Sequence, residues 1–233
     1  MAVADVDVIV PVYNEAEALP RFHERLRRTG VDMNLVFVDN ASTDDSVAII
    51  RSFPGAQLIE HEKNEGYGGS LIDGMLQTSA PRIVIIDADC EYPPECIPGL
   101  LAELEKHDVV YASRLLNKAD AAEAGMNPVK MFGNKLISGL FNVLFKQNTT
   151  DLYTGCKALR RECIQGMPFK HKGFEHVLEL AARLSSRGYA IHDYPVRFEQ
   201  RTTGKAKMKH VSETTKFLLL LMAFYFRSKT RGL

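Results

Sequence analysis

Ile83-Val84-Ile85-Ile86 is a run of four apolar, mostly β-branched residues. Such a run reads as a strand covered on both faces, as in the parallel sheets of α/β proteins. It stops at Asp87, Asp89 and Glu91, three acids on alternating positions. Pro93-Pro94 follow, and a helix is expected from Glu95 to about Lys106, so the acids fall at a strand end or on the loop after it. In open α/β sheets, ligand sites gather at the carboxyl ends of strands. Asp87, Asp89 and Glu91 are hard oxygen donors suited to Mg²⁺ or Mn²⁺, ions that usually complete their shell with substrate phosphates. A metal-diphosphate site is the expectation. An isolated Asp-x-Asp is more often a solvated turn, but the buried strand in front and the polar loops upstream favour the site.

The rest of the first half repeats this pattern. Apolar runs at Val6–Val12, Leu35–Val38, Leu58–Glu60 and Asp108–Ala112 alternate with segments expected to be helical at Glu15–Arg28, Asp45–Arg51 and Leu71–Thr78. Strand-helix alternation with short connections implies right-handed βαβ units and a mostly parallel sheet flanked by helices. Each strand is followed by a polar loop, so the loops share one sheet edge. They carry Tyr13-Asn14-Glu15, Asp39 to Ser46, and Asn64-Glu65-Gly66-Tyr67-Gly68-Gly69. The glycines permit close backbone approach, and beside the other loops they suggest a backbone site near a sugar-nucleotide. They match neither GxGxxG nor a P-loop.

Beyond Arg114 the pattern changes. Leu115–Asn127 reads as a mobile loop, a candidate lid. Pro128–Lys146 is amphipathic: Phe132, Leu136, Ile137, Leu140, Phe141, Leu144 and Phe145 share one face, and Lys130, Asn134, Ser138, Asn142 and Lys146 the other. The apolar stripe fits core packing or contact with lipid or a greasy acceptor. A short strand or turn is expected after Asp151, a helix from Gly173 to Arg187, and a strand region over Tyr189–Phe198. Arg201 to His210 is a dense basic loop, either a solvated face or a clamp for a diphosphate. The last helix, Glu213–Phe226, is apolar nearly all round and followed by Arg227, Lys229 and Arg231, which suits an interfacial helix or an oligomer contact.

Bulk properties exclude some classes. Net charge is zero, which gives no argument for nucleic acid, and the four cysteines form no CxxC pair. Reduced thiols, no evident signal peptide and no apolar run of ~18–20 residues point to a cytoplasmic protein, peripheral at most on the cytoplasmic membrane face.

Five segments occur here in the order found in the inverting family 2 glycosyltransferases: VIVPVYNEAEAL, VFVDNASTDDS, IIDADCEYPPE, TDLYTGCKALRRE and RTTGKAKMK. The closer resemblance, over Val8 to about His210, is to the polyprenyl-phosphate (dolichol-phosphate) mannose or glucose synthase branch. It implies a nucleotide-diphospho-sugar transferase (GT-A type) fold, with residues 1–210 as the catalytic domain. Residues 1–114 would form its nucleotide-sugar half, 115–210 its acceptor half, and 211–233 a C-terminal apolar and basic helix. It implies that Pro11, Tyr13 and Glu15 contact the nucleotide and that Asp39 binds the base. Ser42, Asn64, Gly66, Gly68, Asp87, Ala88 and Asp89 complete the donor side. Asp87, Asp89 and Glu91 would hold Mg²⁺ or Mn²⁺. Asp89, Arg114, Asp151, Arg201 and Lys207 would serve catalysis, with Arg114 and Lys157 holding an acceptor phosphate.

Three departures stand out. Asn40-Ala41-Ser42 replaces a common Asp-Gly-Ser, which touches nucleotide preference. Glu91 replaces a frequent glutamine, which makes the metal site more anionic. The transmembrane helices that follow many relatives' catalytic domains are not seen before Leu233. The expected reaction moves a hexose from a GDP-mannose or UDP-glucose class donor to polyprenyl or dolichyl phosphate. With that phosphate acceptor Asp151 organises the site; with a sugar or protein hydroxyl acceptor it would be the base. An inactive nucleotide-sugar binding module and a nucleotidyltransferase remain as alternatives. The latter usually carries a Gly-rich loop after its first strand, where this chain has Val12-Tyr13-Asn14-Glu15. A homo-oligomer is compatible with the sequence.

Overall fold

A computed structural model describes residues 4–116, 128–201 and 210–230. Lys207 and most of the expected lid, 117–127, lie outside the described residues. A single sheet of seven strands runs in the order β3-β2-β1-β4-β6-β5-β7. Its strands are β1 (Val6–Val12), β2 (Asn34–Asp39), β3 (Gln57–Glu60), β4 (Arg82–Ile86), β5 (Val109–Ser113), β6 (Cys156–Arg160) and β7 (Ile191–Pro195). Only β6 runs against its neighbours; it is antiparallel to β4 and β5, between which it lies. The mostly parallel sheet expected from the alternation is therefore present, and β6 threads the later half of the chain into the centre of the earlier half.

Alternation along the strands divides the core. Val6, Val8, Val10, Val12, Val84 and Ile86 face one side, against α1 (Leu19–Arg28), α2 (Ser46–Arg51) and α4 (Ile97–Leu104). Ile9, Val38, Ile83, Ile85 and Tyr111 face the other, against α3 (Tyr67–Leu76), α5 (Pro128–Phe145), α6 (Glu175–Ser186) and α7 (His210–Thr230). Both faces are covered, which is why these strands read as unbroken apolar runs.

Several helix boundaries differ from expectation for local reasons. Helix α1 starts at Leu19, because Asn14 is in the left-handed region (φ +52°) and the N–H groups of Asn14 and Glu15 are taken by Ser42 and Ser46 side chains. Helix α3 starts early, at Tyr67, with two glycines in its first turn. Helix α5 orients its polar stripe inward at 134, 138 and 142. The Asn142 amide bonds both backbone groups of Thr149, and the Ser138 hydroxyl accepts from the Leu152 N–H. Part of its apolar stripe faces solvent instead: Phe132 is 69% exposed, Leu136 47%, and neighbouring Val143 78%. On α7, Leu219 and Phe226 are also exposed, while Phe217, Leu221 and Phe224 are buried. Among the described residues no helix is long and apolar enough to cross a membrane.

Candidate active site

The strand order leaves β1 flanked by β2 on one side and β4 on the other. The chain departs from β1 in both directions, and the crevice beyond such a switch point is the usual ligand site of an open α/β sheet. β1 ends in Tyr13-Asn14-Glu15 and β4 in Asp87-Ala88-Asp89. The expected donor and metal residues therefore meet at one place.

The loops there are tied by side chains. Ser42 Oγ accepts from the Asn14 N–H at 2.9 Å, and Asn14 Oδ1 accepts from the Thr43 N–H at 2.7 Å. Asp39 Oδ2 accepts from the Ser42 N–H at 3.0 Å, while its Oδ1 is buried without a hydrogen-bond partner. An unmatched buried acceptor disfavours the closed protein and suits a ligand donor. Pro11 lies within β1, paired with Val38, and so sits below the loop that carries Tyr13 and Glu15. Ala41 takes φ +61°, a conformation that glycine adopts at lower cost. The Asn40-Ala41-Ser42 departure is thus visible in the backbone as well as in the side chains. Asn40 joins this loop to the next: its Oδ1 accepts from the Glu65 N–H at 2.7 Å, and its amide donates to Asn64 at 3.0 Å.

The glycines after Asn64 do something other than present an open backbone. A Cβ at Gly66 would lie 2.3 Å from the Lys172 carbonyl oxygen, and one at Gly68 would lie 2.4 Å from His176 Cβ. The Gly68 N–H donates to the Gly173 carbonyl at 3.2 Å. At Gly68 the close partners are His176 and the 171–173 segment, so this glycine lets α3 dock against α6 and the chain before it. The side chain delivered to the site from here is Tyr67, whose hydroxyl donates to Asp87 Oδ1 at 3.0 Å. Sequence reasoning passed over Tyr67; its place in a loop of the shared sheet edge was the available signal.

The acids stand under electrostatic load. Burial, then the charge of Asp89, lifts the Asp87 carboxyl to about 7. Burial also raises Asp89, with Glu15 adding to it and Arg201 and Arg114 opposing. A pair of carboxylates held where ionisation is disfavoured matches a cation of hard-donor preference. The expected three-acid set does not close, however. Among the described residues Asp87, Asp89 and Glu91 do not converge as one ligand group. Glu91 turns instead toward Arg114, 3.6 Å from Nη1. The cause is the loop itself: Cys90 has φ +60°, and the Glu91 N–H folds back onto Asp89 Oδ1 at 3.0 Å. Asp87 and Asp89, on the same loop, are the acids whose chemistry could hold a hard divalent cation. Gly155 seals the back of the site, since a Cβ there would lie 2.1 Å from Asp87 Oδ2.

Cations surround the acids. Arg201 pairs with Glu15 and lies 3.8 Å from Asp89 Oδ2, bridging the β1 and β4 loops. Arg114, just after β5, is gripped by Asp151: Nε donates to Oδ2 at 2.8 Å, Nη2 to Oδ1 at 3.1 Å, and the backbone N–H to Oδ2 at 3.1 Å. The Tyr92 ring lies 4.7 Å from the guanidinium carbon. Asp151 is fully buried and also accepts from the Asn134 amide of α5. Burial alone would raise its carboxyl, but the Arg114 charge and these hydrogen bonds hold it below the ordinary value. Its loop is anchored by Asp193 of β7, which accepts from Thr149 and Thr150. Neither Asn134 nor Asp193 carried a signal in the sequence.

Lys157 corrects an expectation. The sequence suggests a holder of acceptor phosphate, yet the side chain is fully buried, with Nζ 5.0 Å from the Tyr111 ring centroid. The register of β6 opposes it to Ile85 and Tyr111, which turns it into the core. Burial lowers its ammonium to about 8, and the nearby Asp87 pulls it back up. It is a buried group whose charge acts on Asp87.

A family model described as Glycosyl transferase family 2 matches residues 7–166. An undecaprenyl-phosphate 4-deoxy-4-formamido-L-arabinose transferase of Enterobacter is 30% identical over 223 residues, 88% of this chain and 63% of its own length. A dolichol-phosphate mannosyltransferase of Pyrococcus furiosus is 27% identical, over 88% of this chain and 59% of that protein. The chain thus spans about three fifths of the length of these two relatives. An undecaprenyl-phosphate mannosyltransferase of Micrococcus luteus is 28% identical, covering 86% of both. Among solved structures, glucosyl-3-phosphoglycerate synthase from Mycobacterium tuberculosis with Mg²⁺ and UDP superposes at a TM-score of 0.70, 19% identity, over 97% of this chain and 80% of that one. At that identity the likeness speaks for the fold.

Proposed function

Because the chain belongs to glycosyl transferase family 2, we propose that it transfers a hexose, with inversion, from a nucleoside-diphosphate sugar to a polyprenyl phosphate. The observation that carries the choice of acceptor is the state of Asp151. A hydroxyl acceptor needs a base at that position, but the carboxylate is buried and already accepts from Arg114 and Asn134. A phosphate acceptor is ionised near neutral pH and needs cations rather than a base. Arg114, held in a fixed orientation, is such a cation. The names of the relatives, which act on undecaprenyl and dolichol phosphates, support the same reading.

On the donor side, Asp39 meets the base and Tyr13 and Glu15 flank the nucleotide, with Asn64, Gly66 and Ala88 beside them. Bound at Asp87 and Asp89, Mg²⁺ or Mn²⁺ supplies Lewis-acid stabilisation of the departing diphosphate. Arg201 adds fixed charge from the opposite wall, and Lys207 of the basic loop is assigned the same task from the family motif. The test is radiolabelled transfer from GDP- and UDP-hexoses to polyprenyl phosphate, with metal and with chelator. Transfer to hydroxyl acceptors but not to the lipid phosphate would refute the acceptor assignment.

The exposed apolar side chains of α5 and α7 fit a membrane-surface role. Asn134, which touches Asp151, lies two positions after Phe132. Phe132→Glu with Val143→Glu is expected to cut partition onto anionic vesicles by roughly tenfold or more per residue, from ~1.5 kcal/mol of lost burial each. Sedimentation with vesicles measures this. Melting temperature should barely move, since surface substitutions usually stay within about 0.5 kcal/mol. Equal partition of wild type and variant would exclude this surface.

A further inference from the structure

At the opposite edge of the sheet, Glu103, His107 and His192 bring one ligand atom each to within 4.8 Å of one another. We propose that they form a second metal site, for a transition ion of the Zn²⁺ class, that clamps the end of α4 to the edge strand β7.

The geometry is built from both elements. The His107 N–H donates to the Glu103 carbonyl at 3.0 Å, so the last turn beyond α4 stacks the two side chains on one face. His192 pairs with Val110 in the register of β7 on β5, and it shares a strand face with Tyr194, which packs on α4. A Cβ at Gly99 would lie 2.1 Å from the Tyr194 hydroxyl oxygen, so the glycine admits the ring and fixes how α4 lies on β7. The ligand positions are thereby set by packing before any ion arrives.

The three donor atoms lie close together. Glu103 Oε2 is 3.7 Å from His107 Nε2 and 3.6 Å from His192 Nε2. The imidazoles stack with centroids 3.8 Å apart and planes 11° from parallel. Donors bound at about 2.0–2.1 Å around a tetrahedral ion stand roughly 3.3–3.4 Å apart. Turning the two rings out of their stack would bring the donors to that spacing. Lys106 Nζ approaches the other oxygen, Glu103 Oε1, at 3.4 Å and leaves Oε2 to the histidines. All three side chains are partly exposed, which gives an ion access and leaves a fourth position for water.

The donor chemistry separates this site from the acids after β4. Two imidazoles and one carboxylate suit Zn²⁺, Ni²⁺ or Cu²⁺; Asp87 and Asp89 suit Mg²⁺ or Mn²⁺. From His107 to Arg114 the chain runs along β5, roughly 20 Å at about 3.3 Å per residue. The two sites are independent in space.

The experiment titrates chelator-stripped full-length protein with Zn²⁺ in excess Mg²⁺, by calorimetry, and repeats it with Co²⁺ followed by visible absorption. One Zn²⁺ equivalent is expected, with a tetrahedral-type Co²⁺ spectrum and a raised melting temperature. In His192→Gln and in His107→Gln that equivalent should weaken by at least the roughly 10–100-fold that a lost outer-shell partner causes. Both variants should melt like wild type in chelator, which shows that they fold. Absence of a Zn²⁺ equivalent in wild type, or its survival in the double variant, would overturn the proposal. Neither readout uses sugar transfer, so this result stands or falls apart from the function proposed above.

Discussion

Asp89→Ala is expected to lower the rate of sugar transfer by about 10²–10³-fold while the protein stays folded, the usual loss when one electrostatic group leaves a transition state. Asp89 Oδ1 accepts only a local bond from the Glu91 N–H, and Oδ2 faces Arg201 at 3.8 Å. Little packing is lost with the side chain. Burial and the Glu15 charge disfavour its ionised form, so its removal relieves a strain rather than creating one. The melting temperature of Asp89→Ala without metal should equal or exceed that of wild type. Mn²⁺ should raise the melting temperature of wild type but not of the variant. The same load has a pH signature. The Asp87 carboxyl sits at about 7 in the folded protein against 3.8 ordinarily. Between those values the folded chain holds a proton that the unfolded chain has released, so metal-free stability falls as pH rises through that window. Metal binding requires the ionised carboxylate, so Mn²⁺ affinity should climb over the same range, up to about tenfold per pH unit. Thermal shift against pH, with and without Mn²⁺, reads both slopes. Chelator-insensitive activity, or full activity in Asp89→Ala, would remove the metal from the reaction.

The parts of this molecule that the sequence shows are those set by short-range pattern. The strands β1, β2, β4 and β5 are apolar runs because helices cover both faces, and each run is visible without knowledge of its neighbours. The loops after them are visible for the same reason, and they do converge at the β1/β4 switch point. What was hidden depends on pairs distant in the chain. Glu91 reads as a ligand from its spacing, but it is drawn toward Arg114, which only the fold brings near. Lys157 reads as a surface cation until the register of β6 places it between Ile85 and Tyr111. Asn134 and Ser138 read as a solvent stripe because periodicity reports two faces of a helix without saying which one is inside. Here the helix is buried on two sides: Ile137 and Phe141 pack in the core, and Asn134 and Ser138 hold Asp151 and its loop. The exposed Phe132, Leu136 and Val143 lie on the side that remains.

Asp151→Ala should be the most destabilising single change at the site. It removes the buried partner of a guanidinium that is itself only 14% exposed. Breaking such a pair on one side costs about 3–5 kcal/mol, because the remaining charge keeps its desolvation penalty. For a chain of this size, that corresponds to a fall in melting temperature of roughly 6–20 °C. Replacing both partners, Asp151→Ala with Arg114→Met, should recover part of the loss, since no charge is then stranded. Asp151→Asn separates the two roles open to this residue. A general base is needed for proton abstraction, so its loss would abolish kcat with hydroxyl acceptors and leave the acceptor KM nearly unchanged. An organiser acts through Arg114, so its loss should raise the KM for polyprenyl phosphate and lower stability together. Arg114→Lys should resemble it, because an ammonium cannot make the two-pronged contact with Asp151 that aims the guanidinium. Steady-state kinetics against acceptor concentration, beside thermal melts of the same preparations, distinguish these outcomes. A variant with normal acceptor KM and no turnover would return Asp151 to the role of base and the acceptor to a hydroxyl.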